Sequence, residues 1–183
     1  MVQLSALWLP ILLSAVFVFI ASNILWMMLP FWHRNDYGKL PEEAAAIAAL
    51  KSAKSGMYIV PSVQWNKMTA EDRDELQKGP MGMLLLRNPA GFSMAGALIT
   101  WFLYLIVVST FTAYVASHSL LAGAHYLKVF QIVGTIGILA YSFGGISYTI
   151  WYGKPWSVTI KDIIDGIIYG LLMAGTFGWL WPK

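Results

Sequence analysis

LSALWLPILLSAVFVFIASNILWMML, residues 4–29, contains no ionisable side chain, and the first charged residue of the chain is Arg34. A helix of about 20 apolar residues rises 1.5 Å per residue and crosses the ~30 Å hydrocarbon layer of a bilayer. The stretch therefore reads as a membrane span. It does not read as a cleaved leader, because it lacks a positive n-region and is too long for a leader's apolar segment. We expect it to be retained as the first span.

Working outward, the next uncharged stretch lies between Arg87 and Lys128 and supplies a second span at about 92–117. A third follows at about 129–150. A fourth, at about 160–181, carries Asp162 and Asp165 in its expected first turns. The composition agrees. Hydrophobic residues make up 58% of the 183 and charged residues 11%, whereas soluble domains carry ~25% charge. Of the 21 charged residues, 15 fall within 31–90. The chain thus divides into a span at 1–30, a polar insert at 31–91, and three spans at 92–183. The fold class expected is an all-α membrane protein of four transmembrane helices with a small cytoplasmic insert.

Sidedness follows from Lys and Arg, which favour the cytoplasmic face. The insert and the loop at 151–161 share one side and hold ten of the twelve; Lys128 and Lys183 lie opposite. Both termini are therefore expected outside the cytoplasm. Tryptophan favours the membrane interfaces. Trp8 and Trp26 are 18 residues apart, about 27 Å on a helix. Trp32, Trp151 and Trp156 fall near the inner boundary and Trp179 and Trp181 near the outer one. Trp65 belongs to the insert, and Trp101 alone lies inside a span.

The net charge of +3 comes from no basic tract, so nucleic acid is not an expected partner. The absence of cysteine excludes disulfides and thiolate chemistry. Within the insert, Pro41-Glu42-Glu43 and the alanine-rich run to Lys54 predict a helix, with acids at its N-terminus and lysines at its C-terminus. Thr69-Ala70-Glu71-Asp72 predicts a capping box with Asp in place of Glu. Met57-Tyr58-Ile59-Val60 and Met83-Leu84-Leu85-Leu86 predict extended segments pairing as an antiparallel ribbon. A two-stranded ribbon is marginal alone, and the ends of the spans are its expected support.

Several features bear on function. Gly166, Gly170, Ala174 and Gly178 recur every four residues and form a smooth ridge for close helix packing. The small positions Gly134, Gly137, Gly144 and Gly145 of the third span are its expected counterpart, and a homodimer through the same ridge is the lesser reading. Asp162, Asp165 and Tyr169 share one helical face. Intramembrane acids are candidate ion or proton sites because charge at bilayer depth is costly; the plainer reading is structural capping or an ion pair with the insert, Lys154 and Lys161 being near. His118 and His125 bracket the loop between the second and third spans and could ligate a metal or haem iron, although the plainer reading is a pair of wet interfacial residues. His33 lies on the opposite face and cannot join them. Ser109, Thr110, Thr112, Tyr114 and Ser117 make the outer half of the second span polar, lining a cavity or, more plainly, bonding the preceding turn. No zinc-protease, phosphate-loop, nucleophile-elbow or dinucleotide motif occurs, and Ser117-His118 point about 100° apart on a helix.

The layout resembles families of small four-span bacterial membrane proteins with a polar segment after the first helix. The stretches that suggest it are Gly79-Pro80-Met81-Gly82 leading to Arg87-Asn88-Pro89, Lys154-Pro155-Trp156-Ser157, Asp165-Gly166-Ile167-Ile168-Tyr169-Gly170 and the closing Phe177-Gly178-Trp179-Leu180-Trp181-Pro182. These families have no established activity, so the resemblance implies a bacterial inner membrane and no catalytic role. The leading expectation is a non-enzymatic anchoring or assembly protein. Its partners would be the lipid bilayer, a protein at the insert, or a second copy, and no cofactor is expected. The alternatives are a small-solute or ion transporter using Asp165 and the polar second span, and a metal- or haem-binding redox protein through His118 and His125.

Overall fold

A computed structural model describes residues 2–63 and 65–183. Four helical segments in it are long and apolar enough to cross a membrane: Leu4–Met28, Met94–Ser119, Tyr126–Tyr152 and Trp156–Leu180. The chain is a multi-pass membrane protein of all-α class, with a small polar insert after the first span.

The first span opens with a 3₁₀ turn at Leu4–Leu7 and continues as α1 (Trp8–Asn23). Pro10 sits in the first turn of α1, where a missing N–H costs nothing. At Ile24–Met28 the helix widens to π geometry, and the Leu29 amide reaches back five residues to the Ile24 carbonyl at 3.0 Å. Pro30 cannot donate into that ladder, so the chain turns and restarts as the single-turn α2 (Pro30–His33).

The insert holds α3 (Glu43–Leu50), β1 (Gly56–Val60), α4 (Ala70–Lys78) and β2 (Gly82–Leu86). The two strands pair antiparallel, Tyr58 opposite Leu84. Thr69 and Asp72 close the capping box at α4. Two expectations fail here. α3 ends at Leu50 rather than Lys54, since a short helix with no buried face has nothing to hold its last turn. The ribbon does not rest on the spans: every β1 residue is exposed, and among the described residues no helix packs across it.

The second span is α5 (Met94–Ser119), begun by Ser93, whose hydroxyl accepts from the Gly96 amide. The third is α6 (Tyr126–Ser142), interrupted at Phe143-Gly144-Gly145 and resumed as α7 (Ile146–Tyr152). A continuous helix over 129–150 was expected. Two adjacent glycines raise the entropic cost of helix there and let the chain break. Gly153 closes α7 at φ +76°, a conformation that favours glycine.

The fourth span is α8 (Trp156–Leu180), four residues longer at its start than the sequence suggested, because Pro155 can precede a helix but not sit inside it. α8 is the central helix. Of its most apolar window, 44% is buried, against 11–28% for the other spans. Lipid already solvates apolar side chains, so close contact rather than water exclusion holds such a bundle. The tightest contact joins α6 to α8. A Cβ on Gly166 would lie 2.7 Å from the Ser142 backbone, and one on Gly170 would lie 2.6 Å from the Ile138 amide. Gly178 is covered by the Tyr126 ring and Ala174 faces Gly134. The ridge is thus filled within the chain. Gly144, grouped with the packing glycines by sequence, has nothing within 4 Å and serves the break instead. At the far end of the bundle, the Gly123 amide donates to the Pro182 carbonyl at 2.8 Å, and the Trp181 indole donates to the Leu121 carbonyl at 3.0 Å.

Candidate functional site

The two helix irregularities, Ile24–Met28 and Phe143–Gly145, occur at the insert end of the bundle, beside the first third of α8. Non-helical backbone at membrane depth persists only where protein or a hydrated cavity satisfies it, and π turns concentrate at functional sites. A cavity of about 450 Å³ lies there, among all four spans. Trp26, Trp101, Tyr141 and Tyr169 supply its aromatic walls, and Asp162 and Asp165 its carboxylates. The hydroxyls of Tyr141 and Tyr169 are buried and have no hydrogen-bond partner among the described residues. Orphaned buried hydroxyls are uncommon; Ser109 lies beside the Tyr141 hydroxyl and Trp26 beside that of Tyr169.

Asp165 sits nine residues into α8, about 13.5 Å along its axis, and is 3% exposed. This corrects the expectation of a shallow, dipole-stabilised acid. Because the helix begins at Trp156, its first turn holds no acid, and the dipole effect fades within one turn. What stabilises Asp165 is the chain after the first span. The Trp32 indole donates to its Oδ1 at 2.8 Å, and His33 Nε2 meets its Oδ2 at 2.9 Å. His33 Nδ1 meets Asp36 Oδ2 at 2.6 Å, and the Lys161 ammonium bonds Asp36 Oδ1. Trp26 stacks on the imidazole at 3.8 Å with ring planes 12° apart. Burial opposes ionisation of Asp36, yet the hydrogen bonds from Lys161 and His33, together with the charges on both groups, outweigh it and hold its carboxyl below the usual range. Asp162 is bonded by Lys154, which reaches it beside Gly145 under the α6–α7 break.

The sequence placed Asp162, Asp165 and Tyr169 on one face, and all three line this cavity. It missed His33, Trp32, Asp36 and Tyr141. His33 was weighed only against His118 and His125, across the membrane. The signal that points to it is that the inner end of the first span and the start of the fourth lie on the same side. The polar outer half of α5 is not part of the cavity. Thr110, Thr112 and Ser117 bond carbonyls of their own preceding turn, and Ser109 meets Ser14 of α1 at 3.1 Å. α5 contributes Leu98 and Trp101 instead, with the Trp101 indole donating to Ser22 at 2.9 Å.

His118 and His125 are both exposed. His118 Nδ1 meets the Tyr114 carbonyl at 2.8 Å. His125 accepts from the Leu127 amide at 3.3 Å and caps α6. Each is engaged at its own helix end. Among the described residues no group of three or more His, Asp or Glu side chains is placed to hold a metal. A second, wider depression of about 820 Å³ lies between the ribbon end and the start of α5. It is open, and among the described residues its one charged wall residue is Arg87, whose guanidinium lies over the Phe92 ring at 4.9 Å. Comparison with protein-family models, curated proteins and solved structures returns no match for this chain.

Proposed function

We propose that this protein binds a small solute in the cavity between its four spans and passes it across the membrane, with the cavity open toward the insert. The observation that carries this reading is the coincidence of two broken helices, two orphaned tyrosine hydroxyls and a buried carboxylate around one cavity. Helices broken at a binding site are a recurring device of membrane carriers. The far half of the bundle supports a closed outer side, since Leu7, Ala116, Val133, Met173 and Phe177 fill it with no exposed atoms. The Lys and Arg bias and the resemblance support a bacterial inner membrane with the insert in the cytoplasm and both termini outside. The chain has no cysteine, so single cysteines at positions 39 and 183 would report sidedness through an impermeant maleimide. For the solute, Asp165→Asn is the test. The native chain in detergent gains thermal stability from one class of small solutes and supports its flux in vesicles, and the variant, expressed to the same level, does neither. Undiminished flux in the variant dismisses the reading.

A second reading is favoured by the ribbon. Apart from the tyrosine hydroxyl, its ten side-chain positions are apolar or glycine, and none is fully buried. Such a surface fits an anchoring role in which the insert meets a protein partner. Co-purification from mild detergent tests it, and a chain that stays alone counts against it.

A further inference from the structure

The cavity has a definite charge balance. Asp162 is paired with Lys154 and Asp36 with Lys161. Among the described residues Asp165 has no Lys or Arg partner, and the one basic group on it is His33. The groups facing His33 are Asp36 and Asp165 through its two ring nitrogens, Trp26 on its face and Trp32 on its edge, with Lys161 behind Asp36. An ionised carboxylate only accepts hydrogen bonds, and a neutral imidazole offers a single N–H. Asp36–His33–Asp165 can therefore form both bonds only with one proton beyond the neutral imidazole and two carboxylates. With that proton, and with the Lys161 ammonium on Asp36 counted, the network is neutral. Without it, one negative charge is left at Asp165, on the wall of a cavity whose other walls include Trp26, Trp101, Tyr141 and Tyr169. Aromatic faces attract an ammonium group, most strongly where water is excluded.

We infer that the cavity takes an organic ammonium cation, whose charge Asp165 balances in exchange for the proton shared by Asp36, His33 and Asp165. The inference rests on the solute-binding reading above and names the class of solute. On binding, the cation enters and the proton leaves to the solvent, so the net charge of the site is unchanged. The ammonium group belongs to a free amine or quaternary amine, or to a lipid headgroup.

The test is calorimetry on the full chain in detergent with choline and with 3,3-dimethylbutan-1-ol, which has the same shape without the charge. Titration in two buffers of different ionisation enthalpy counts the protons released. Choline is expected to bind about tenfold more tightly than the alcohol, releasing about one proton per molecule bound. Equal affinity for the two overturns the ammonium assignment while leaving a solute cavity in place. Choline binding without proton release overturns the exchange. Binding of neither overturns the inference, and the Asp165→Asn flux test then decides separately whether the cavity carries anything. Nanodiscs of phosphatidylglycerol and of phosphatidylcholine separate the sources. Weaker choline binding in the phosphatidylcholine discs identifies a lipid headgroup as occupant, and equal binding identifies a free cation; either result upholds the ammonium class.

Discussion

The two ends of this bundle are built from the same four helices and obey opposite rules. At the end away from the insert the helices are regular and touch closely, and the polar side chains of α5 turn back onto their own backbone or onto α1. At the insert end two spans break, a cavity opens and a buried imidazole joins two carboxylates. Between them α8 serves both, presenting Gly166, Gly170 and Ala174 to α6 on one face and Asp162, Asp165 and Tyr169 to the cavity on another. The difference is one of face as well as of end: Gly166 packs on Ser142, itself a wall of the cavity, one residue from Asp165. Small residues hold α6 to α8 from the cavity wall outward, at Gly166, Gly170, Ala174 and Gly178, so the cavity opens beside a contact that is already closed.

The sharpest way to break this contrast is to overfill the close-packed contact. Gly170→Leu drives a side chain into Ile138, where a Cβ alone would lie 2.6 Å from the backbone. It should cost on the order of 3 kcal/mol, read as a large drop in the melting temperature in detergent. Gly144→Ala, in open space, should stay within about 0.5 kcal/mol of the native chain. If the two variants behave alike, the ends do not differ as described.

Next in size is Asp165→Asn. It removes a charge-assisted bond to His33 and should cost about 1–3 kcal/mol together with the loss of cation binding. Acid should act on the same network through Asp36. Its folded-state carboxyl is depressed, so its contribution is complete above the unfolded value near 3.8 and is lost as pH falls through the lower folded value. Hydrogen exchange across 30–37 should therefore be insensitive to pH, after correction for intrinsic rates, from neutrality down to about that unfolded value, and should rise below it. A rise already at mildly acidic pH would show that Asp36 is not held as described.

Tyr169→Phe sharpens the comparison without disturbing the fold. Its hydroxyl has no partner among the described residues and no accessible surface, so stability should change by less than about 1 kcal/mol and ligand affinity should stay within about twofold. A modest effect is expected between α1 and α5. Ser109→Ala removes the 3.1 Å contact with Ser14 and should cost about 0.6 kcal/mol, typical of interhelical hydrogen bonds in membranes.

Much of the insert was legible locally, because its signals are local. Thr69 and Asp72 announce a capping box three residues apart, and two short apolar runs announce a ribbon. Where the ribbon would rest was not legible, since support is a long-range property. The site shows the same division. Asp162, Asp165 and Tyr169 are related by helical period, so their shared face can be counted along the chain. His33 and Asp165 are 132 residues apart, and no local rule joins them. The depth of Asp165 was misjudged by one turn because the start of α8 depends on Pro155 and the turn at Gly153 rather than on where the apolar run begins.

By itself, the sequence determined the solvent of this protein and the number of its crossings. Apolar length against hydrocarbon thickness is a sum over neighbouring residues and needs no knowledge of contacts. Tertiary structure alone decided which helix is central, where the spans break and which basic group stands against Asp165. Those outcomes depend on close approach and on the balance of buried charge, both of which are set by residues far apart in the chain that only folding brings together.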